Sequence, residues 1–322
     1  MSIPVISLTG RRDVVVASLR DACLRYGFAQ LTDSSITPAL TSDVFTVAKR
    51  FFSLPLATKN ALSKLSHYSA GYDSYKKYTL EIGGVYPDLN EGFVIGKLNS
   101  EGSCWPDTDQ HPELADFRST CEAFQEALHG VVKEVAEIIA EGLGLPSGHF
   151  DEFFVDENGN ARLTHYICPD DAEDDEGSLG CGEHTDWGLL TLLVQDEVGG
   201  LQVQDVQTGE WLDVTPMPGA LVFNAGDMLA RFTNGVYVSA KHRVIRLPKG
   251  VERYSIPFFS VGADYYFVDV LPLGSDWVEW VREKKGDPPT EDRLFQPILA
   301  GEYLALKFHE VRDAKAEGEV GA

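Results

Sequence analysis

From Arg162 to Ser260 the chain breaks into short β-forming runs separated by turn formers. The runs are RLTHYIC, LLTLLVQ, LQVQDV, GEWLDVTP, GALVFN, VSAKHRVIR and RYSIPFFS, with Gly, Pro and Asn between them. A single short strand cannot bury a face by itself. Many of them, closely spaced and punctuated by turns, close into a sandwich or barrel. TGEW and PMPGA read as hairpin turns, and Gly199-Gly200 as a bulge or tight turn. The pattern predicts a mainly β protein with flanking helices and a double-stranded β-helix, or jelly-roll, core.

The rest of the chain supplies the helices. Arg12 to Tyr26 places Val15, Leu19, Cys23 and Tyr26 on one stripe, as an amphipathic helix requires. Pro38 to Phe52 reads as a second helix that stops at Leu54-Pro55. Pro112 to Leu143 is the clearest helix: Leu114, Phe117, Cys121, Phe124, Leu128, Val131, Val135 and Ile138 repeat at threes and fours, with Pro112 at the start and Gly142 and Gly144 at the end. That stripe is expected to brace a sheet. Glu291 to Val311 reads as a C-terminal helix with AKAEGEVGA as a frayed tail; Gly71 to Gly96 shows no clear periodicity. The expected division is an N-terminal α/β region, 1–110, packing on a core of 111–322 that holds the bracing helix, jelly roll and C-terminal helix.

Chemistry-bearing residues fall inside the β region. In GEHTDWGLLTLLVQD, His184 and Asp186 stand two apart just ahead of a strand-like run, so both side chains point to one face and can bind one metal ion. His242, in SAKHRVIRL, must come from a distant strand that the fold brings alongside. Two histidines and one carboxylate leave three positions of an octahedron open, the ligand set of non-haem Fe(II) facial triads; the same donors also suit zinc. An isolated His-x-Asp is commonly a surface turn. Here a second signal follows: Arg253 and Ser255 in RYS, two apart on a strand, offer a forked cation and a hydroxyl to one carboxylate. His165 is expected to point away from Tyr166 and to pack as an ordinary histidine. His67, His111, His129, His149 and His309 have no partner at ligand spacing.

At this point the chain resembles the 2-oxoglutarate and Fe(II)-dependent dioxygenases of the isopenicillin N synthase-like group. The likeness is carried by GEHTDWGLLTLLVQDEVGGLQVQD, GEWLDVTPMPGALVFNAGDMLARFTNG, SAKHRV and RYSIPFFS in that order, and by IPVISL, YGFAQLT, AKRFFSLP and EGFVIG in the N-terminal third. The resemblance implies iron on His184, Asp186 and His242, with Arg253 and Ser255 on the distal carboxylate of 2-oxoglutarate. Tyr166 matches the tyrosine of the family's Asn-x-Tyr element, whose Asn position is Thr164 here. The implied reaction consumes 2-oxoglutarate and O2 and hydroxylates, desaturates or cyclises a small molecule. By position, Tyr72, Tyr75, Lys76, Phe93 and Phe259 are the expected substrate residues, with the Tyr72 to Lys77 stretch as a lid. Lys76 and Lys77 would suit an anionic substrate. Three rivals remain: an oxidase of the same fold that uses Arg253 and Ser255 for its own substrate without 2-oxoglutarate, an inactive small-molecule-binding protein, and a zinc hydrolase, in which Arg-x-Ser has no role.

Composition narrows the setting. Against 27 Lys and Arg stand 50 Asp and Glu, a net charge of −23. Such a chain is a poor partner for nucleic acid, which is bound by cations, and for an anionic membrane. Cys23, Cys104, Cys121, Cys168 and Cys181 are odd in number and lack Cys-x-x-Cys spacing, which points to a reducing compartment. MSIPVISLTG lacks the charged and apolar regions of a secretory signal, and no apolar run is long enough for a bilayer. The expectation is a monomeric cytoplasmic enzyme. The acidic run Asp170 to Glu176 is expected to be a solvated loop, because like charges repel.

Overall fold

The computed structural model describes residues 2–63, 70–76, 80–81, 86–96, 103–155, 159–169, 177–290 and 292–320, the last nine of these as backbone only. The acidic run 170–176, His67 and Lys77 lie outside them. In chain order the N-terminal elements are β1 (Val5–Ser7), α1 (Arg12–Arg25), β2 (Phe28–Thr32), α2 (Pro38–Phe52), α3 (Leu56–Ala61), β3 (Gly71–Asp73) and β4 (Asn90–Val94). A long helix follows, α4 (Phe117–Gly142), and then β5 (Gly159–Ile167), β6 (Cys181–His184), β7 (Leu190–Gln195), β8 (Leu201–Gln204), β9 (Trp211–Asp213) and β10 (Leu221–Ala225). The chain ends through α5 (Asp227–Phe232), β11 (His242–Val244), β12 (Glu252–Ser260), β13 (Phe267–Val268), α6 (Ser275–Lys285), β14 (Ile298–Leu299) and α7 (Ala300–Val320).

Two sheets form the jelly roll. The larger has the order β1-β2-β10-β7-β12-β5-β4-β3 and the smaller β6-β11-β8-β9. Strands from the first 110 residues are therefore members of the large sheet: β2 pairs with β10, and β4 with β5. Alternation along each strand sorts side chains between two cores. Tyr254, Ile256 and Phe258 of β12 join the core under the helices, with Phe124, Leu128, Val132 and Val135 of α4. Phe28, Tyr166, Leu193 and Val222 of the large sheet meet Cys181, Leu201, Val203 and Val244 of the small one. Gln125 rivets α4 to the sheet: its amide donates to the Gly96 carbonyl at 2.7 Å, and its oxygen accepts from the Ala161 N–H at 2.9 Å.

Three expectations shift. The bracing helix begins at Phe117, not Pro112, because Pro112–Leu114 is a tighter 3-10 turn; the Ala115 N–H bonds back to Pro112 at i+3, which does not lead on into α-helical spacing. The C-terminal helix starts at Ala300 and runs to Val320. Pro297 precedes it, and Ile298–Leu299 are extended, paired with Phe267–Val268. Helices α5 and α6 had no counterpart in the sequence reading. Gly199 and Gly200 directly follow a turn at Glu197 and Val198, with φ of 83° and 91°, a region open to glycine without cost.

On the helix side of the large sheet lies a buried ionic cluster. Lys59 Nζ donates to both Glu91 carboxylate oxygens, at 2.9 and 2.8 Å. His165 Nδ1 lies 2.8 Å from Glu91 Oε1, and the Tyr72 hydroxyl donates to Glu91 Oε2. His165 stacks on Tyr254 with ring centroids 4.5 Å apart. As expected, it faces away from Tyr166.

Candidate active site

The three candidate metal ligands converge where the two sheets face each other. β6 ends at His184 and pairs antiparallel with β11, so that His184 and His242 sit directly opposite. The Nε2 atoms of both histidines lie 3.8 Å from Asp186 Oδ1, and the candidate ligand atoms of the three residues all fall within 4.8 Å of one another. Each imidazole is oriented from behind. His184 Nδ1 is 2.8 Å from the Gly182 carbonyl and His242 Nδ1 3.2 Å from the Ala240 carbonyl. A proton on each Nδ1 leaves each Nε2 lone pair aimed at the common point, the arrangement metal-binding histidines adopt. Burial, then the nearby His242, pushes the His184 imidazole down to about 4, so it is a neutral donor at neutral pH. Burial alone would raise the Asp186 carboxyl. His242 and His184, with hydrogen bonds from Thr191 and Asn224, hold it below the usual range. One carboxylate and two imidazole nitrogens converging in this way fit the donor set of a six-coordinate Fe(II).

Residues outside the triad hold it in place. Asn224 Nδ2 donates to Asp186 Oδ2 at 2.7 Å. The Asp227 N–H donates to the Asp186 carbonyl at 2.8 Å, and the Asp227 carboxylate accepts from Thr185, Ser239 and Tyr303 at 3.3, 2.6 and 2.7 Å. Tyr303 belongs to α7, which also sets Phe308 edge-on against Trp187, with centroids 5.0 Å apart. The C-terminal helix thus braces the loop that carries Asp186. A Cβ on Gly226 would strike the Gly188 carbonyl, so the two segments approach this closely only because residue 226 is glycine. Phe28 packs edge-on to His242, centroids 5.3 Å apart.

A fixed cation stands farther along the same inner face. In the large sheet, Thr191 of β7 and Phe259 of β12 form one cross-strand row, and Ser255 pairs with Gln195 and Thr164 in another. Asp186 bonds to the first row. Arg253 lies beyond the second, opposite Tyr166. Its side chain is fully buried, 0 % exposed. Nη1 donates to Ser255 Oγ at 3.2 Å and Nη2 to Gln195 Oε1 at 3.0 Å, and the guanidinium sits 4.6 Å from the Tyr166 ring centroid. Nε has no partner among the described residues. A buried, unpaired N–H is costly, and a carboxylate is the group that would satisfy it.

Comparison with known proteins agrees with this geometry. Residues 158–261 match the model of the 2OG-Fe(II) oxygenase superfamily, and residues 3–115 that of the N-terminal region of the non-haem dioxygenases in morphine synthesis. A 2-oxoglutarate-Fe(II) type oxidoreductase of Emericella nidulans is 39% identical over 272 residues, 80% of this chain and 77% of that protein. The chain belongs to the 2OG-Fe(II) oxygenase superfamily. It is a 2-oxoglutarate-dependent non-haem iron dioxygenase, acting on a small molecule. The clavatol oxidase of Penicillium crustosum is 34% identical over 318 residues, 90% of each chain. A Neurospora crassa protein crystallised with alpha-KG superposes with a TM-score of 0.80 at 29% identity, covering 95% of this chain and 96% of that one.

The expected substrate residues of this dioxygenase separate into two groups. Phe259 is half-buried and shares the inner face with Ser255, in the row of Thr191 beside Asp186. Tyr75 is half-buried, its hydroxyl donating to the Ile167 carbonyl at 3.3 Å; Lys76 is exposed, at φ 56°, with its amine 5.7 Å from the Tyr75 ring centroid. Both stand at the Arg253 end of β4 and β5. Tyr72 and Phe93 do not reach the site. They pair across β3 and β4 on the helix side of the sheet, where Phe93 packs on Phe51, Phe117 and Trp105 and Tyr72 bonds Glu91. The reason is parity: Tyr72 and Phe93 share a row with Leu163, an outward residue of β5. Thr164, in the family's Asn position, accepts from the Arg162 guanidinium. Gln195, Asn224, Trp187 and Arg162 escaped the sequence reading. For Trp187 a signal was available, its adjacency to Asp186.

Proposed function

We propose that this dioxygenase oxidises a small organic acid of specialised metabolism by hydroxylation, desaturation or oxidative cyclisation. In this reading His184, Asp186 and His242 hold the iron, and Arg253, Ser255 and Tyr166 hold the distal carboxylate of 2-oxoglutarate. When bound, the iron and co-substrate supply an oxidant strong enough to attack a C–H bond. The protein contributes orientation. Arg253 and Ser255 fix one end of the co-substrate from the same face that carries the Asp186 row, and Phe259 offers an apolar wall beside the metal for the substrate body. The 111–322 core carries all of these residues. The 1–110 region adds strands β1 to β4 to the large sheet and, through Tyr75 and Lys76, a rim at the Arg253 end. Free cysteines and the absence, among the described residues, of a helix long and apolar enough to cross a membrane support a cytoplasmic enzyme. A monomer is the simplest form.

The observation that carries the co-substrate assignment is the fully buried Arg253 with its unpartnered Nε. A hydrogen bond to a charged group contributes roughly 1.5–3 kcal/mol, so Arg253→Ala is expected to raise the 2-oxoglutarate concentration needed for half-maximal turnover about tenfold or more. Arg253→Lys should not restore it, because a point charge lacks the fork. Succinate released from 2-oxoglutarate by Fe(II)-loaded protein is the readout. Oxygen uptake without succinate in the wild type, or unchanged 2-oxoglutarate dependence in the Ala variant, would instead support an oxidase that uses Arg253 for its own substrate.

A further inference from the structure

The buried ionic cluster on the helix side of the large sheet sits directly behind Arg253, Ser255 and Tyr166. Strand pairing sets Glu91, His165 and Tyr254 side by side across β4, β5 and β12. The rows on either side of them are Asn90–Tyr166–Arg253 and Gly92–Thr164–Ser255. Alternation along each strand sends those two rows to the inner face and the middle row to the helix side. Tyr166 is thus the chain neighbour of His165, and Arg253 and Ser255 flank Tyr254.

His165 is the centre of the middle row. Its Nδ1 is 2.8 Å from Glu91 Oε1 and its Nε2 3.5 Å from Glu252 Oε2, an oxygen that also accepts from the Tyr254 hydroxyl at 3.0 Å. The imidazole lies almost parallel to the Tyr254 ring, at 10°, with centroids 4.5 Å apart. Phe52 of α2 packs on it with centroids 5.2 Å apart. Glu91 is anchored in turn by Lys59 of α3, whose amine also donates to the Phe52 carbonyl at 3.0 Å. Helices α2 and α3 therefore grip β4, β5 and β12 through one imidazole.

The backbone ladder holds this end of β12 only in part. Its pairing with β7 ends at Ser255–Gln195, so Arg253 lies beyond it. There Tyr254 is tied to Asp196 instead: its N–H donates to the Asp196 carboxylate, and its carbonyl accepts from the Asp196 N–H at 3.0 Å. The pairing of β12 with β5 skips Ile256 and Pro257, and a proline has no N–H to give. A side-chain row behind Arg253 and Ser255 adds constraint where the ladder is interrupted. Placement matters at this point, because a guanidinium fork recognises a carboxylate by geometry as well as by charge.

We propose that His165, clamped between Glu91 and Tyr254, is a positioning residue for 2-oxoglutarate: from behind the sheet it sets the Arg253 fork at the place the distal carboxylate requires. The inference rests on the proposed reading, in which Arg253 holds 2-oxoglutarate.

The test measures 2-oxoglutarate binding directly, by equilibrium dialysis against Fe(II)-loaded protein in the absence of oxygen, with iron content and denaturant unfolding recorded beside it. Two variants cut the clamp at opposite ends. His165→Phe keeps a flat ring against Tyr254 and leaves Glu91 its bonds from Lys59 and Tyr72, but removes the Nδ1 contact. Tyr254→Leu removes the stack and keeps that contact. Each should weaken 2-oxoglutarate binding about threefold to tenfold, the scale of one hydrogen bond, with iron content unchanged. In an Arg253→Ala background the added loss from His165→Phe should fall below about twofold, because a residue that acts through the fork has nothing left to place. A cluster that serves stability alone shifts the unfolding midpoint of these variants and leaves the affinity of the folded protein as it was. Wild-type affinity in either folded variant, an undiminished loss in the Arg253→Ala background, or lowered iron content would overturn the proposal. Arg253→Ala separates the two readings. If it binds 2-oxoglutarate weakly while the cluster variants bind normally, only the positioning role fails. If it binds as the wild type does, the co-substrate assignment fails and the positioning role with it.

Discussion

Replacing His242 with Ala is expected to abolish Fe(II) binding and turnover. The substitution deletes one of three donors and leaves a histidine and an aspartate, too few to hold a labile divalent ion in this geometry. Changes to groups that only orient a metal ligand already cost about 10–100-fold in affinity or activity, and loss of a ligand should exceed that range. His242 is buried and packs between Phe28 and His184, so its removal also opens a gap beside the metal. The measurement is bound iron after reconstitution, together with succinate formed from 2-oxoglutarate, with thermal unfolding of the apo-protein as the control for folding. Near-normal iron-dependent turnover in His242→Ala would show that the metal sits elsewhere.

A second large effect is expected far from the metal, in stability. Glu91→Ala should destabilise the protein by about 3–5 kcal/mol, the cost of leaving a buried ion without its partner. The orphan is Lys59, whose side chain is 9% exposed against 3% for Glu91. The Tyr72 hydroxyl and His165 Nδ1 lose their acceptor in the same step. Denaturant unfolding of the purified protein measures the loss. The double variant Lys59→Met, Glu91→Leu should recover much of it, since apolar groups of similar size leave no buried charge. The pH dependence has a definite sign. Burial alone would raise the Glu91 carboxyl, but His165, Lys59 and Tyr72 hold it below the usual range. Its stabilising contribution is therefore complete above the ordinary carboxylate pKa and is lost as pH falls through the lowered value. Glu91→Ala should flatten that part of the acid-unfolding profile. A loss below about 1 kcal/mol, the scale of a surface pair, would mean that solvent reaches the cluster.

The site's parts differ in how plainly the chain displays them, and the physical reason is distance along the sequence. His184 and Asp186, or Arg253 and Ser255, are pairs two residues apart, and the two-residue period of an extended chain puts such pairs on one face whatever the rest of the fold does. The same period, interrupted by turn formers, marks the β core, and the three-to-four repeat of α4 marks its brace. Those features were determined by the sequence itself. The boundaries of α4 and α7 were not, because the turn at Pro112 and the β13–β14 pairing compete with helix propensity there. Nor could local pattern say which face Tyr72 and Phe93 occupy. That depends on the register of β3 on β4 and of β4 on β5, and a slip of one residue would exchange every inward and outward side chain. Asn224 on Asp186, Gln195 on Arg253 and Asn90 on Arg162 join residues up to 72 positions apart. Nothing in the local sequence marks these partners. Only strand pairing in the folded sheet brings their donors and acceptors within reach.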